Sequence, residues 1–302
     1  MSRDIVINDV GPRDGLQNQP KILSLDERAQ LVRALEAAGV DHIEVGSFVS
    51  PKAVPAMAGT DQLLQNLMPQ GSAHYTSLIP NMKGYQLARD AGARSVTMVL
   101  YASDGMALKN VNMTRAEAEE VTIQILQRAR EDAVEVIATA SVAFACPFDG
   151  PTDPATVEAI ADRFLGLGAD QFVIADTIGA GNPKQVRELT QRLVNSHGAE
   201  RLGCHFHDTR AMGVANVFAA VESGIRKFDA SIGGLGGCPF APGASGNVAT
   251  EDVVMMLEQM GFSTGIDLGL LMQASELAET LTGTAPGGRS KIWLKRELAK
   301  TA

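Results

Sequence analysis

Cysteine is scarce in this chain of 302 residues: only Cys146, Cys204 and Cys238 occur, far apart in the sequence. Three scattered cysteines cannot build the disulfide framework that stabilises small secreted domains. We therefore expect a reducing compartment, in which any cysteine that matters for function acts as a free thiol.

Positive charge is also in short supply, and long apolar runs are missing. Lys and Arg together number 26 against 35 Asp and Glu, which gives a net charge of −9. This balance disfavours nucleic acid and anionic membranes as main partners. No apolar run approaches the roughly 20 residues of a membrane span, and neither end of the sequence resembles a targeting or lipidation signal. We expect a soluble cytoplasmic protein that binds neither membrane nor nucleic acid.

Strand-like apolar runs alternate with helical patterns along most of the chain. The first pair covers residues 5–10 and 25–38, the eighth covers 227–232 and 250–260, and the spacing of apolar residues changes accordingly. Strands separated by helices lie parallel, and eight of them close into a (β/α)8 or TIM barrel of about 250 residues. The alternative, an open doubly wound sheet, is disfavoured because no Gly-x-Gly-x-x-Gly turn follows the first strand.

Two further helical patterns follow the eighth repeat, at residues 268–281 and 289–299. We assign residues 1–265 to the catalytic barrel and residues 266–302 to a C-terminal helical extension packed on it. Because no linker divides the sequence, both parts are predicted to belong to one α/β domain.

Polar side chains collect where the predicted strands end, which is the edge of such a barrel that carries the chemistry. His205 and His207 are two residues apart in a strand, so both imidazoles point to one face. A His-x-His pair by itself is more often an ordinary polar strand end. Asp14 after the first strand and Asn247 after the eighth add a carboxylate and an amide oxygen. This mixed set favours Mg²⁺, Mn²⁺ or Co²⁺ over a thiolate-bound zinc.

A glycine-rich loop at residues 233–239 follows the eighth predicted strand and carries Cys238. The glycines are compatible with a plain flexible connection. Four loop glycines and a proline flank Cys238, which is not typical of a core cysteine and favours a second interpretation, a lid that brings a proton donor or acceptor over the barrel mouth. Cys204 points away from the two histidines and is interpreted as packing, and packing is also slightly favoured for Cys146.

Five runs of the sequence, in this order, resemble the 3-hydroxy-3-methylglutaryl-CoA lyase family of metal-dependent barrel enzymes. They occupy residues 10–18, 43–52, 176–179, 205–209 and 234–252, and the last contains the family's cysteine signature. The resemblance implies retro-Claisen cleavage of 3-hydroxy-3-methylglutaryl-CoA to acetyl-CoA and acetoacetate, with Mg²⁺ or Mn²⁺ as cofactor. It also implies a homodimer or larger homo-oligomer and a role in leucine catabolism and ketone-body formation.

The family's functional residues correspond to individual positions of this sequence. The implied metal ligands are Asp14, His205, His207 and Asn247. The implied catalytic residues are Arg13, Glu44, Asp176 and Cys238. Acyl-CoA contacts are implied for Arg13, Gln17, Lys52 and Asn110, and supporting roles for Asp208 and Glu251. Because Arg13 is rigid and always charged, we expect it to stabilise the thioester enolate.

Arg210 departs from the family pattern, which usually has Tyr-Gly after His-Asp-Thr. We interpret Arg210 either as a partner of an acid such as Asp208 or Asp176, or as a substrate-binding residue for a differently placed carboxylate. The second interpretation would replace the family substrate by citramalyl-CoA or by a longer 3-substituted glutaryl-CoA. Residues 145–148, Ala-Cys-Pro-Phe, are a second departure at the end of strand five.

Three other functions are compatible with the same scaffold. A Claisen condensing enzyme is disfavoured by the loop that carries Cys238. A non-catalytic CoA- or metal-binding module is disfavoured by the intact set of candidate site residues. A zinc hydrolase would need an activated water and no CoA thioester.

Overall fold

The computed structural model describes residues 3–237, 246–284 and 287–300. Its strands are β1 (Val6–Asp9), β2 (His42–Ser47), β3 (His74–Ile79), β4 (Ser95–Tyr101), β5 (Glu135–Ser141), β6 (Ala145–Cys146), β7 (Gly150–Pro151), β8 (Gln171–Asp176), β9 (Leu202–Phe206) and β10 (Lys227–Ala230). β6 and β7 form a short antiparallel hairpin. The other eight strands form a closed barrel with parallel neighbours, in which β10 pairs with β1. The TIM-barrel prediction is therefore confirmed.

Eleven α-helices are present in the described part of the chain. They are α1 (Leu25–Ala37), α2 (Thr60–Leu67), α3 (Met82–Asp90), α4 (Asp104–Val111), α5 (Arg115–Glu131), α6 (Pro154–Gly166), α7 (Pro183–His197), α8 (Gly213–Glu222), α9 (Thr250–Gln259), α10 (Leu268–Thr282) and α11 (Lys291–Leu298). All except α4 correspond to helical patterns in the sequence. α4 is an extra helix between β4 and α5, and its brevity and internal glycine conceal it from pattern analysis.

Local sequence explains where the helices begin. The Ser24 side chain accepts a hydrogen bond from the Glu27 backbone N–H, while the Glu27 carboxylate accepts from the Ser24 N–H. Thr114 and Glu117 repeat this arrangement at the start of α5. These capping boxes satisfy backbone donors that have no partner inside the helix. These capping residues therefore fix where α1 and α5 begin.

The two faces of the barrel strands have different chemistry. In β2, Ile43 and Val45 are fully buried apolar residues, whereas Glu44 between them faces the barrel interior and lines a cavity there. The interior of a TIM barrel is usually filled by branched apolar side chains. Polar residues take their place at several interior positions, among them Asn8, Thr97 and Asp229. The barrel axis therefore holds a polar site instead of a closed core.

Hydrogen bonds to the start of α9 anchor the C-terminal segment. The Asp252 carboxylate accepts the backbone N–H groups of Arg289 (2.7 Å) and Ser290 (2.8 Å), just before α11. Glu251 accepts the N–H of Gly288 at 3.2 Å. The division at residues 265 and 266 stays a prediction. None of the helices in the described residues is long and apolar enough to cross a membrane.

Candidate active site

A cavity of about 210 Å³ opens where the carboxyl ends of the barrel strands meet. Its wall includes seven of the predicted site residues, which come from four different parts of the chain: Arg13, Asp14, Gln17, Glu44, Asn110, His205 and His207. Asn110 lies on α4, where its amide N–H donates to the Tyr101 hydroxyl at 2.8 Å. The extra helix therefore builds one side of the cavity.

Arg13 and Asp14 lie on a single π-type helical turn, Gly11–Gly15, directly after β1. Arg13 Nη1 donates to the Asp14 carboxylate at 2.6 Å, and Arg13 Nε donates to Glu44 Oε2. A guanidinium held by two carboxylates keeps one orientation, because both of its donor edges are engaged. β2 also has an irregular register between Glu44 and Gly46, at the position where Glu44 meets Arg13.

The electrostatic environment shifts the pKa values of Asp14 and Glu44 in opposite directions. Burial alone would raise the pKa of Asp14, but Arg13, the two neighbouring histidines and the amide of Asn247 hold it far below its usual range. For Glu44 burial prevails over the attraction of Arg13, and its pKa is raised. Asp14 is therefore an anion at neutral pH, whereas Glu44 is better suited to accept and hold a proton.

Asp14, His205 and His207 form a cluster that could hold a metal ion: one ligand atom of each lies within 4.8 Å of the others. His205 belongs to β9, and His207 follows one residue after its end. An antiparallel bridge between His207 and Asn247 brings the amide to the cluster, where Asn247 Nδ2 donates to Asp14 Oδ2 at 2.7 Å.

Two features of these residues fit a divalent cation. His207 Nδ1 and Asn247 Oδ1 are buried and have no hydrogen-bond partner among the described residues, whereas buried polar atoms are normally satisfied. The charged side chains in the described wall are one arginine and three carboxylates, Asp14, Glu44 and Asp229. This formal excess of two negative charges matches a divalent ion.

His207 is prepared for ligation by its surroundings. Burial and the neighbouring His205 lower the pKa of His207 to about 4. Its imidazole is therefore neutral at physiological pH and retains a lone pair for a metal. The oxygen and nitrogen donors of the cluster are the types that Mg²⁺ and Mn²⁺ accept.

Three predicted site residues stabilise loops around the cavity and do not line it. Asp176, at the end of β8, is buried and accepts the backbone N–H groups of Ala180 (2.7 Å) and Gly181 (2.9 Å). Asp208 accepts from the Gly213 N–H at 2.8 Å and from Arg289 Nε at 3.2 Å. Glu251 accepts from Gly233 N, Gly288 N and Ser275 Oγ at 3.0–3.2 Å.

Among the described residues Arg210 forms no hydrogen bond or ion pair with Asp208 or Asp176, although its positive charge partly offsets the rise that burial causes in the pKa of Asp176. Its guanidinium donates to the carbonyl oxygens of Gly179, at 2.7 Å, and Ala180, and the residue is exposed outside the cavity wall. The same loop receives the Asp176 carboxylate, so Arg210 stabilises this loop from the solvent side. Lys52 is likewise exposed and lies in a turn after β2, away from the wall.

The three cysteines have different settings. Cys238 lies outside the described residues; Gly237 before it lines the cavity, and its carbonyl accepts from Asn18 Nδ2 at 3.0 Å. Cys204 and Cys146 are buried free thiols. Burial strongly raises the pKa of Cys204, which agrees with the packing role expected for it.

Sequence reasoning missed Asn8 and Asp229. The Asp229 carboxylate accepts from His205 Nδ1 at 3.1 Å and from Asn8 Nδ2 at 2.8 Å, and both residues line the cavity. One feature of the sequence could have predicted Asp229: it is an acidic residue inside the predicted eighth strand, at a position whose side chain the strand alternation directs into the barrel.

Comparison with known proteins agrees with this geometry. The HMGL-like family model matches residues 4–278 of the chain. The chain belongs to the HMGL-like family. It is an enzyme, a carbon–carbon lyase of the hydroxymethylglutaryl-CoA lyase type.

Among relatives of this HMGL-like chain, the hydroxymethylglutaryl-CoA lyase of Pseudomonas mevalonii is 40% identical and is aligned over 98% of both sequences. The (R)-citramalyl-CoA lyase of Chloroflexus aurantiacus is 43% identical over 93% of this chain and 92% of the relative. A solved structure of an HMG-CoA lyase from Acinetobacter baumannii, in complex with coenzyme A and 3-methylmalate, is 39% identical with a TM-score of 0.90. That match covers 95% of this chain and 93% of the other.

Proposed function

We propose that this protein cleaves 3-hydroxy-3-methylglutaryl-CoA to acetyl-CoA and acetoacetate with the help of Mg²⁺ or Mn²⁺. The observation that carries the proposal is the meeting of Arg13 with Asp14, His205 and His207 in one cavity at the catalytic end of the barrel. The proposal extends, on the resemblance of the five sequence runs, to a homo-oligomer in the cytoplasm that acts in leucine catabolism.

Asp14, His205, His207 and Asn247 would hold the divalent ion. When bound, the ion supplies a Lewis acid that lowers the pKa of the substrate's C3 hydroxyl and balances its carboxylate. The buried atoms His207 Nδ1 and Asn247 Oδ1, which lack partners among the described residues, support this assignment.

Arg13 would act on the other half of the substrate. Loss of the C3 hydroxyl proton lets the C2–C3 bond break, which leaves the electron pair on the enolate of acetyl-CoA. Arg13, kept cationic by Asp14 and Glu44, is suited to donate to the enolate oxygen as charge develops there. Its fixed orientation means that little reorganisation is needed during the reaction.

Two groups would manage protons around Arg13. Glu44, whose pKa burial raises, is suited to accept the proton that the C3 hydroxyl loses. For Cys238 we propose delivery of a proton to the enolate carbon, because Gly237 directly before it belongs to the cavity wall. Gln17 and Asn110 in the same wall would contact the acyl-CoA.

Citramalyl-CoA is a second candidate substrate, and the likeness to a citramalyl-CoA lyase favours it. Both substrates present a tertiary hydroxyl, one carboxylate and a CoA thioester, and they differ by one methylene between hydroxyl and carboxylate. A difference of one methylene changes kcat/KM by roughly 10- to 200-fold. Arg210 contacts backbone carbonyls and lies outside the described cavity wall, so we infer that it does not discriminate between the two substrates.

Steady-state cleavage of racemic 3-hydroxy-3-methylglutaryl-CoA and citramalyl-CoA tests the proposal. Both reactions release acetyl-CoA, while the second product, acetoacetate or pyruvate, identifies the substrate. We expect metal-dependent activity that a chelator abolishes, with kcat/KM at least about tenfold higher for the glutaryl substrate. A reversed preference would assign the protein to citramalyl-CoA, and absence of cleavage with both would contradict the proposal.

A further inference from the structure

Asp229 is a charged residue of the cavity wall to which the mechanism above gives no role. It lies on β10, between β1 and β9, and pairs in register with Asn8 on one side and His205 on the other. Three polar side chains thus lie at one level of the barrel. Because the strands are parallel neighbours, their side chains at this level point into the barrel together.

Both oxygens of Asp229 are engaged in this row. Oδ1 accepts from Asn8 Nδ2 at 2.8 Å, and Oδ2 lies 3.1 Å from His205 Nδ1. A carboxylate can only accept here, so the hydrogen bond to His205 requires a proton on Nδ1. In the neutral imidazole of His205, the other ring nitrogen, Nε2, then carries the lone pair.

Within the described part of the chain, the ring of His207 has no carboxylate partner at Nδ1 like the one that Asp229 provides for His205. Its Nδ1 has no hydrogen-bond partner among the described residues, and its backbone bridges to Asn247. The position of His207 therefore derives from the backbone, whereas the ring orientation of His205 derives from a side-chain carboxylate. Carboxylates in this relation to a metal-binding histidine orient the ring and increase its basicity.

We propose that Asp229, steadied by Asn8, is a positioning residue that holds His205 as the Nδ1–H tautomer and presents Nε2 to the divalent ion. The inference rests on the metal site of the proposed function. Asp229 acts through His205 and needs no contact with the substrate. Asn8 restrains the carboxylate from the side opposite to the histidine.

The matched experiment compares Asp229→Asn with Glu135→Gln. Glu135 also forms a carboxylate–histidine pair, with His74 Nε2 at 2.7 Å, but this pair is partly exposed at the amino end of the barrel strands. Mn²⁺ affinity of the metal-free protein, measured by electron paramagnetic resonance of free Mn²⁺, is the main readout. We expect Asp229→Asn to weaken Mn²⁺ binding roughly 10- to 100-fold and Glu135→Gln to change it less than about twofold.

The outcomes separate this inference from the proposed function. If wild-type protein fails to bind Mn²⁺, the metal site itself is contradicted. If wild-type protein binds Mn²⁺ and Asp229→Asn binds it equally well, the positioning role alone is overturned. An equal loss in Glu135→Gln would assign the effect to the barrel as a whole and would also overturn it.

A spectroscopic readout covers the case in which Asp229→Asn does not fold. In metal-free wild-type protein labelled with ¹⁵N-histidine, at an alkaline pH where the His205 imidazole is neutral, we expect His205 to show the Nδ1–H tautomer, with the His205→Asn spectrum used for assignment. The Nε2–H tautomer at His205 would contradict the proposal. In the milder variant Asn8→Ser we expect the same direction of change in Mn²⁺ affinity, with a smaller amplitude.

Discussion

At the scale of single residues, the site depends on how Arg13 is held. Its side chain meets Asp14 through Nη1 and Glu44 through Nε, so two separate edges of the guanidinium are engaged. Lysine has the same charge but a single donor group, and it cannot satisfy two carboxylates in this geometry. A lysine at position 13 would therefore keep the positive charge and lose the fixed orientation of the donor groups.

We expect Arg13→Lys to lower kcat about 100-fold or more, because a misplaced donor no longer stabilises the enolate oxygen. Mn²⁺ affinity should change little, since the four candidate ligands remain. Steady-state kinetics and Mn²⁺ titration of the same preparation measure the two effects. Arg128→Lys, on the exposed face of α5, is the control substitution and should leave both values unchanged. Wild-type turnover in Arg13→Lys would remove Arg13 from its proposed role.

Asp9 is a second residue of interest, because its buried carboxyl should make the stability of the fold depend on pH. Its buried carboxyl accepts the Gly11 N–H at 2.8 Å and the Thr250 hydroxyl at 2.7 Å, which joins the turn carrying Arg13 and Asp14 to α9. Burial raises the pKa of Asp9 to about 7. The folded protein therefore binds a proton at mildly acidic pH that the unfolded chain releases.

The expected stability change has a definite sign. Between about pH 4 and pH 7 the folded state holds one proton more than the unfolded state, so the contribution of Asp9 to stability falls as pH rises and is lost above pH 7. The rise in the pKa of Asp9 from 3.8 to about 7 corresponds to a change of about 4 kcal/mol in the free energy of unfolding over this pH range. Urea unfolding of wild type and Asp9→Asn at several pH values measures it, because other titrating groups cancel in the difference. A difference that does not vary with pH would contradict this prediction.

At the scale of elements, the start of α9 joins three parts of the molecule. Glu251 is fully buried and accepts hydrogen bonds from the turn after β10 through Gly233, from α10 through Ser275, and from the segment before α11 through Gly288. Its neighbour Asp252 holds the same segment. One carboxylate therefore connects the last barrel strand with the C-terminal helices.

Glu251→Ala should lower the free energy of unfolding by about 3 kcal/mol or more, because three donors lose their buried acceptor. Chemical denaturation followed by circular dichroism measures the change. Glu276→Ala, on α10, removes a half-exposed carboxylate paired with Lys295 and should cost less than about 1 kcal/mol. Equal effects of the two substitutions would show that Glu251 has no special connecting role.

At the scale of the whole molecule, the candidate metal-binding residues connect distant parts of the chain. Asp14 follows the first barrel strand, His205 and His207 belong to the ninth strand and its end, and Asn247 precedes α9. A ligand that binds the folded state alone stabilises all of these parts at once.

Addition of Mn²⁺ to metal-free protein should raise the thermal unfolding midpoint, with a stabilisation of about 2.7 kcal/mol at a free concentration one hundred times the dissociation constant. Differential scanning calorimetry with and without chelator measures the shift. In Asp14→Asn the shift should largely disappear, since the anionic ligand is lost. A full shift in that variant would place the stabilising ion elsewhere.

The sequence by itself determined the architecture and most of the candidate metal site. Alternating strand and helix patterns predict parallel strands, and parallel strands bring their carboxyl ends to one edge. Asp14, His205 and His207 follow from this rule because each lies at or near a strand end, so their proximity needed no knowledge of side-chain contacts.

Only the tertiary structure determined which residues each side chain contacts. Asn8 and Asp229 are 221 residues apart in sequence and meet because the barrel closes between β1 and β10 in one register. Arg210 donates to the carbonyls of Gly179 and Ala180 in the loop after β8, whereas the sequence suggested an acid such as Asp208 or Asp176 or a substrate carboxylate as its partner. Strand periodicity determines the face of each residue, whereas its partner depends on closure, register and loop geometry, which no local pattern contains.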